Sequence, residues 1–428
     1  MDWTQKSNNI MPKKASEWIR RQYVPKEKGF RFSPQSPVCL LGSCCAALAS
    51  ETLGTLSDWS APEVESWVQY IQSFQQDDGW FEDPYLKPGD KSILDSAYLR
   101  GHATFLATMA LDALGQRPRR RLEFLDTWRN DTHLYDWIDK LDWTNPWRES
   151  NWVEWLGYWL LADSEITADD VPVPEERYPA GFAGLMQWLE DNQDPTTGFW
   201  GNPPYEGLRR TLGQMAGAYH HYVFYYATGQ PLRFKDKIID HTLALQQPDG
   251  LFVPGRTGGG PCEDLDAIDI LANMYRLADY RRAEIELAQR HALAALVKNQ
   301  RADGAFVYAC DGNSLRPLPG LLRTLFRPWY RPGLRSRLRA PRQYVSGSRQ
   351  QYGGCPSLPF RSSGGDMFSQ WFRPLAIATA ASMLGKNRSP IWWRFGFRRQ
   401  ITQGWWPGTS RPTQYRKLKP ETVIESNR

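Results

Sequence analysis

Cysteine is scarce in this chain of 428 residues. There are six, none in a CxxC pair and none at zinc-finger spacing from a histidine. That excludes a disulfide-stapled scaffold and a zinc-finger module, and leaves reduced, buried thiols as the expectation. Long apolar runs are missing too. The first residues, MDWTQKSNNIMPKKASEWIRRQY, hold no apolar signal core. The most apolar early stretch, 38–49, is too short and too rich in small residues to span a bilayer. The expected location is cytoplasmic, or peripheral at a membrane. Neither sign of charge dominates: the net charge of +5 demands no nucleic-acid partner. Strand-like alternation is nearly absent, which argues against a β-rich domain.

What the chain holds in quantity is tryptophan, twenty in all, and a short pattern that returns. The pattern is a Gln, a few polar residues, a Gly and an aromatic. Gln75-Gln76-Asp77-Asp78-Gly79-Trp80-Phe81 is the first copy, and Gln193-Asp194-Pro195-Thr196-Thr197-Gly198-Phe199-Trp200 is the next clear one. Gln246-Gln247-Pro248-Asp249-Gly250-Leu251-Phe252 and Gln300-Arg301-Ala302-Asp303-Gly304-Ala305-Phe306 follow. Gln350-Gln351-Tyr352-Gly353-Gly354 reads as a degraded copy, and Asp142-Trp143-Thr144-Asn145-Pro146-Trp147 stands where another is due. A recurring separation of about fifty residues marks repeated supersecondary units.

Helical sequence flanks each copy. An amphipathic helix runs up to the Gln, and the Gly supplies a turn with φ > 0. A second helix then follows, rich in small residues and apolar on most faces, at 95–114, 211–226, 264–277 and 367–384. A helix apolar all round is an inner helix. The expected fold is therefore all-α: a single (α/α)6-like toroid of helix pairs, the second helices inside and the first helices outside. The expected boundaries are an N-terminal extension at 1–37, the toroid at 38–385 and a basic aromatic tail at 386–428. An Arg/aromatic-rich insertion at 311–350 interrupts the ring. Between 311 and 365 there are ten Arg and no acid after Asp311. Within it, 318–339 interleaves Arg with Leu, Phe, Trp and Tyr, and prolines prevent one long helix. Such a segment suits contact with a membrane surface or an anionic ligand.

The Gln-x(2–5)-Gly-x-Trp/Phe copies resemble the QW motif of squalene–hopene cyclases and related terpenoid cyclases. Gln193, Gly198 and Trp200 match it fully. Those enzymes share the α/α-toroid superfamily with the protein prenyltransferases, and the resemblance covers roughly residues 38–385. It implies a structural role for the Gln and Trp of each copy, an isoprenoid or other lipid-like small-molecule substrate, and acid-initiated cyclisation or isomerisation. Class II cyclases use an Asp-x-Asp-Asp motif whose middle Asp protonates an alkene or epoxide. Asp264-Leu265-Asp266 fills its first three positions, with Ala267 in place of the last Asp. The resemblance thus implies Asp266 as proton donor. No metal is expected, and Mg²⁺ enters only if the substrate is a diphosphate. Protein prenyltransferase activity would need a zinc-binding Asp, Cys and His, for which the sequence shows no motif.

The residues themselves point to the same stretch. After Gly258-Gly259-Gly260-Pro261, acids stand at Glu263, Asp264, Asp266 and Asp269. Acids in a first turn cap a helix and suit its dipole, which accounts for Glu263 and Asp264. It does not account for Asp269, a turn further in. Asp266, Asp269 and Asn273 share one face of the helix. The expected catalytic set is Asp266 with Asp269 and Asp264. The starts of the other inner helices would ring the same mouth and offer Asp95, Tyr98, His102, Asn151, Glu154, Arg209, Arg210, Gln214, Tyr219, His220, His221, Asp366, Gln370 and Arg373. Expected substrate contacts are His102, Arg210, Tyr219, His220, Asp366 and Trp371. Of the adjacent His220 and His221, at most one can face the lumen. Two other functions stay open. A carbohydrate-active toroid (polysaccharide lyase, glycoside hydrolase or uronyl epimerase) would work through Tyr219, His220 and paired carboxylates such as Asp266 with Asp95 or Asp366. A non-catalytic toroid would only bind a partner.

Overall fold

The computed structural model describes residues 10–90, 92, 94–129, 133–164, 173–256, 258–309 and 349–384. The segment 318–339 and the tail from 386 lie outside the described residues.

The recurring turns are built alike. In each, the Gln side chain folds back so that Nε2 donates to the carbonyl of its own Gly: Gln75 to Gly79 (3.0 Å), Gln193 to Gly198 (2.8 Å), Gln246 to Gly250 (3.0 Å) and Gln300 to Gly304 (3.2 Å). Three of these amides also donate to the next part of the outer wall: Gln75 to Arg120 O, Gln246 to Ala288 O and Gln300 to Met11 O. The four glycines take φ between 75° and 93°, a region that side chains resist. They also touch backbone. A Cβ on Gly304 would lie 2.1 Å from Lys14 O, and one on Gly250 would lie 2.6 Å from His291 O. The aromatic that follows has its N–H held by the adjacent inner helix. Phe81 N donates to Thr104 Oγ1, Phe252 N to Asp264 Oδ1 and Phe306 N to Gln370 Oε1. Each copy therefore ties an outer helix, a turn and an inner helix together.

Thirteen helices follow along the described residues. The first seven are α1 (Ile10–Gln22), α2 (Leu40–Thr52), α3 (Ala61–Gln72), α4 (Ser96–Ala113), α5 (Asp126–Arg129), α6 (Leu134–Asp139) and α7 (Pro146–Ala162). The rest are α8 (Ala180–Asn192), α9 (Gly207–Thr228), α10 (Lys235–Leu243), α11 (Pro261–Leu277), α12 (Arg282–Leu296) and α13 (Met367–Met383). Helices α2, α4, α7, α9, α11 and α13 each pack on the next, and α13 packs back on α2. That closes an inner ring of six, as expected. Burial sorts the two walls. Every residue of α13 is buried, whereas α3 buries only Trp67, Val68 and Ile71. Helix α1, from the stretch ahead of residue 38, packs outside α13 and α2 and takes the bond from Gln300.

Strands are few among the described residues. β1 (Tyr23–Val24), β2 (Gly29–Arg31) and β3 (Val38–Cys39) form one antiparallel sheet beside α2, with Phe30 opposite Cys39. β4 (Arg349–Gln351) pairs with β5 (Pro359–Arg361). The expected degraded turn at 350–354 is thus a strand end followed by a single 3-10 turn, with Gly353 and Gly354 at positive φ. At 142–147 the Trp survives without the Gln: Trp143 Nε1 donates to Ile138 O and the ring stacks on Trp188, 4.5 Å between centroids.

Gly304→Ala should lower the unfolding free energy by more than about 2 kcal/mol, since it combines left-handed strain with a backbone clash. Urea unfolding measures this as a lower midpoint. An unchanged midpoint would refute the steric account of these glycines.

Candidate active site

Helix α11 starts where the glycine run stops. Gly260 is the N-cap and Pro261 the first helical residue, an arrangement that needs no N–H from the proline. The glycines leave room for carboxylates to fold back. A Cβ on Gly259 would stand 2.0 Å from Asp264 Oδ2, and one on Gly260 would stand 2.1 Å from Glu263 Oε2. Asp264 accepts from Gly260 N (2.9 Å) and Phe252 N (2.8 Å). It also pairs with Arg373 of α13, Nη1 to Oδ2 2.6 Å, both side chains fully buried. Arg373 donates further to Gly258 O and Tyr308 O. Burial outweighs this attraction and pushes Asp264 up to about 6. Asp264 occupies the same rung as Thr104 and Gln370, holding the aromatic of its turn. Both its oxygens serve the scaffold.

Two residues on, the environment changes. Asp266 is 1 % exposed, and its Oδ2 has no hydrogen-bond partner. Burial raises its pKa well above the usual carboxylate range. Glu263, Glu154, Asp269 and Asp264 add like-charge repulsion in the same direction. A carboxyl in this setting resists ionisation and keeps its proton to a higher pH than an exposed one. Asp269, one turn further, is equally buried and has an unpartnered Oδ1. Its Oδ2 accepts from Asn273 Nδ2 (3.1 Å), and burial outweighs the pull of Arg276 to leave its pKa raised. Glu154 of α7 is 4 % exposed and, among the described residues, makes no hydrogen bond or ion pair. Burial alone raises its pKa.

The other expected residues divide. His102 of α4 shares a hydrogen bond with Tyr352 OH, 2.7 Å from Nε2, and burial lowers its pKa to about 4. Tyr98 stacks beside it, and Trp155 packs against both. His220 of α9 bonds Ser150 Oγ of α7 through Nδ1, 2.8 Å. Burial, then the neighbouring His102, takes its pKa down to about 3. Its neighbour His221 turns the other way, into a cage of Trp143, Trp188 and Trp200. Tyr219 is buried with its ring edge-on to His220. Trp371 lies edge-on to Phe372 and Phe368 on α13. Asp366 caps α13, accepting from Ser369 N and Oγ. Arg210 is exposed and donates to Asn202 Oδ1, away from the buried group.

Asp266, Glu154 and Cys262 are near enough for Cys262 to feel Asp266, and for Tyr98 to feel both Cys262 and Glu154. Tyr352 feels Cys262 and Tyr98 and touches Phe368 at 5.5 Å. Tyr352 was not legible as a site residue, because it lies in the degraded turn copy. Glu154 had a signal: it is the one acid in Val153-Glu154-Trp155-Leu156-Gly157-Tyr158-Trp159. Among the described residues, no three His, Cys, Asp or Glu side chains converge as a metal site requires. They do not fit the zinc centre that a protein-prenyltransferase resemblance would imply.

A family model, the prenyltransferase alpha-alpha toroid domain, matches residues 2–128 and 132–314. The chain belongs to that family. No curated protein matches it. Among solved structures it is similar to two variants of the type II terpene cyclase MstE from Scytonema. One, an Asp-to-Ala variant, is in complex with the product merosterolic acid A, with a TM-score of 0.43. The other, an Arg-to-Ala variant, is in complex with the substrate geranylgeranyl dihydroxybenzoate, with a TM-score of 0.45. Identity is 14 % in both, over 87 % of this chain and 97 % of those chains. Likeness at this level bears on no chemistry.

In this prenyltransferase-family toroid, Arg373→Met should cost roughly 3–5 kcal/mol of stability, because Asp264 would be left buried without its counter-charge. Chemical denaturation tests it, and a cost under about 1 kcal/mol would refute the keystone role. Asp266→Asn should stabilise. The native Asp266 holds its proton above the pH at which the unfolded Asp loses it. Native Asp266 therefore costs stability increasingly as pH rises from about 4 toward its raised pKa. The gain from Asn should be larger at pH 8 than at pH 5 in parallel urea titrations. Equal gains at both would mean that Asp266 is not kept neutral.

Proposed function

We propose that this protein is a terpenoid-cyclase-like enzyme, an isomerase that starts cyclisation or rearrangement of an isoprenoid by proton transfer inside the toroid. The carrying observation is Asp266: fully buried, one oxygen unpartnered, and with its pKa raised first by burial and then by the acids around it. Protonating an alkene or epoxide requires such an acid, positioned in a site from which water is excluded. Asp266 gives the proton to the terminal alkene carbon or epoxide oxygen and becomes a carboxylate. Asp269 resists ionisation too, and its charge would penalise the newly formed carboxylate if both ionised, which favours return of the proton to Asp266. Asp264 holds the start of α11 through Arg373. The cation that forms is served by the π faces of Tyr98, Trp155, Tyr352 and Phe368. His102 and His220 stay uncharged beside it, as burial keeps both pKa values low. Tyr219 supports His220 from the same helix. The segment 318–339 would be the contact with a membrane surface from which a lipid-like substrate is taken.

The carbohydrate reading loses two of its carboxylates. Asp95 and Asp366 are both helix caps, accepting from Tyr98 N and Ser369 N. Glu154 is the remaining partner for Asp266 under that reading.

Asp266→Asn should lower turnover of a linear polyprenyl substrate by about 10³-fold or more. Asp266→Glu should retain part of the rate. Wild-type activity should fall as pH rises through the raised pKa of Asp266, because the acid form is the working form. Product analysis by mass spectrometry reads all three. Full turnover by Asp266→Asn would end the proposal. Polysaccharide cleavage lost in both Asp266→Asn and Glu154→Gln would replace it with the carbohydrate reading.

A further inference from the structure

Helix α11 carries a polar stripe on the side turned away from the outer wall. Contacts fix which side is outer. Asp264 accepts from Phe252 N of the preceding turn (2.8 Å), Gln289 of α12 donates to Ile268 O (2.8 Å), and Tyr275 OH donates to Glu286 of α12 (2.7 Å). Positions 264, 268 and 275 lie within about 40° of one another around a helix. Asp266, Asp269 and Asn273 lie about 140–200° from Asp264, and Arg276 about 120° from it. Helices α9 and α13 flank α11 in the inner ring, so the side opposite Asp264 looks into the ring.

Exposure rises along this stripe. Asp266 and Asp269 are each 1 % exposed, Asn273 is half-buried and Arg276 is exposed. Asn273 Nδ2 donates to Asp269 Oδ2 (3.1 Å), and Arg276 Nη2 donates to Ser382 Oγ near the end of α13 (3.5 Å). Asp266 and Asp269 are three residues apart, which sets their Cβ atoms about 5–6 Å from each other. Helical side chains lean toward the N-terminus, so Asp269 extends from its own turn toward Asp266. Asp266 Oδ2 and Asp269 Oδ1 have no partner among the described residues. Packing alone would favour an apolar residue at 269, since a buried oxygen without a partner costs stability.

We infer that Asp269 is the residue through which Asp266 regains its proton, drawn from solvent at the C-terminal end of α11. The inference rests on the cyclase reading of Asp266 and adds the route by which that acid is reloaded. Once Asp266 has given up its proton it is a carboxylate. The O–H of Asp269 breaks and its proton joins the Asp266 carboxylate. Asp269, now the carboxylate, takes a proton from solvent at the half-buried Asn273. The sum is one proton moved from solvent to Asp266, with Asp269 restored. Asp269 acts through Asp266 and has no need to touch the substrate.

The test needs no substrate. Infrared spectra of the full-length protein at pH 6 show the carbonyl stretch of carboxyl groups that are still protonated above the ordinary carboxylate range. The band lost in Asp266→Asn belongs to Asp266, and its shift after transfer from H2O to D2O times the exchange of its proton. Exchange should be at least about tenfold slower in Asp269→Asn, which keeps the shape of the side chain. Asn273→Leu leaves both acids in place and makes the solvent end of the stripe apolar, and it should slow exchange to a similar degree. Glu263→Gln, at the opposite end of α11, should stay within about twofold of wild type. Wild-type exchange in both Asp269→Asn and Asn273→Leu would overturn the route and leave the cyclase reading standing. Slowing in Glu263→Gln alone would overturn it too, because the proton would then enter at the glycine-loop end. If no band at pH 6 is lost in Asp266→Asn, Asp266 holds no proton there, and the acid of the cyclase reading falls together with this inference.

Discussion

The contact between Arg373 and Asp264 ties together parts of the molecule that lie 109 residues apart in sequence. It bridges α13 and α11, fixes the glycine loop through Gly258 O and reaches the 307–308 segment through Tyr308 O. An ion pair with both partners fully buried contributes little net stability, since each charge has left water. Its value lies in the geometry it selects. With Asp264 drawn toward Arg373 and toward the N–H groups of Phe252 and Gly260, the helix phase of α11 is set. Asp266 then falls on the enclosed side, and Asp269 follows one turn later. The scaffold acid Asp264 and the proposed proton donor Asp266 are two residues apart and differ in one respect: one has every oxygen engaged and the other does not.

This division also shows how burial separates roles among identical side chains. Asp264, Asp266 and Asp269 are equally hidden. Asp264 has a cation and backbone donors. Asp269 has one amide. Asp266 has only like charges around it. The histidines repeat the pattern. His221 packs into a tryptophan cage, while His220 and His102 bind Ser150 and Tyr352. Burial lowers the pKa of His102 and His220, so both resist protonation.

The ring was legible in the sequence because its defining contacts are local. Gln and Gly of each turn stand four or five residues apart and bond to each other, so the pattern survives as a motif. The suspicion that Asp266 and Asp269 had no structural task was legible too, from their place beyond the first helical turn. What escaped depended on distance along the chain. The partner of Asp264 lies 109 residues away, and nothing local marks Arg373 as its counter-charge. The hydrogen bond between His102 and Tyr352 spans 250 residues. The degraded turn at 350–354 is instead the end of a strand, because its Gln residues pair with β5. Arg210 looked like an inner-helix residue, yet the first turn of α9 projects out to solvent.

The amide of Gln300 reaches Met11 O across 289 positions, and Gly304 lies against Lys14 O. The outer helix that completes the last pair is thus the first of the described helices along the chain. During translation α1 emerges long before the surface it covers, and α2 waits in the same way for α13. Contacts of such span form late and slowly. For most of its synthesis the growing chain is an open crescent with an apolar edge at each end, the kind of intermediate that invites association with other chains. Closing the circle is therefore a step of assembly in its own right, made by the first and last of the described helices.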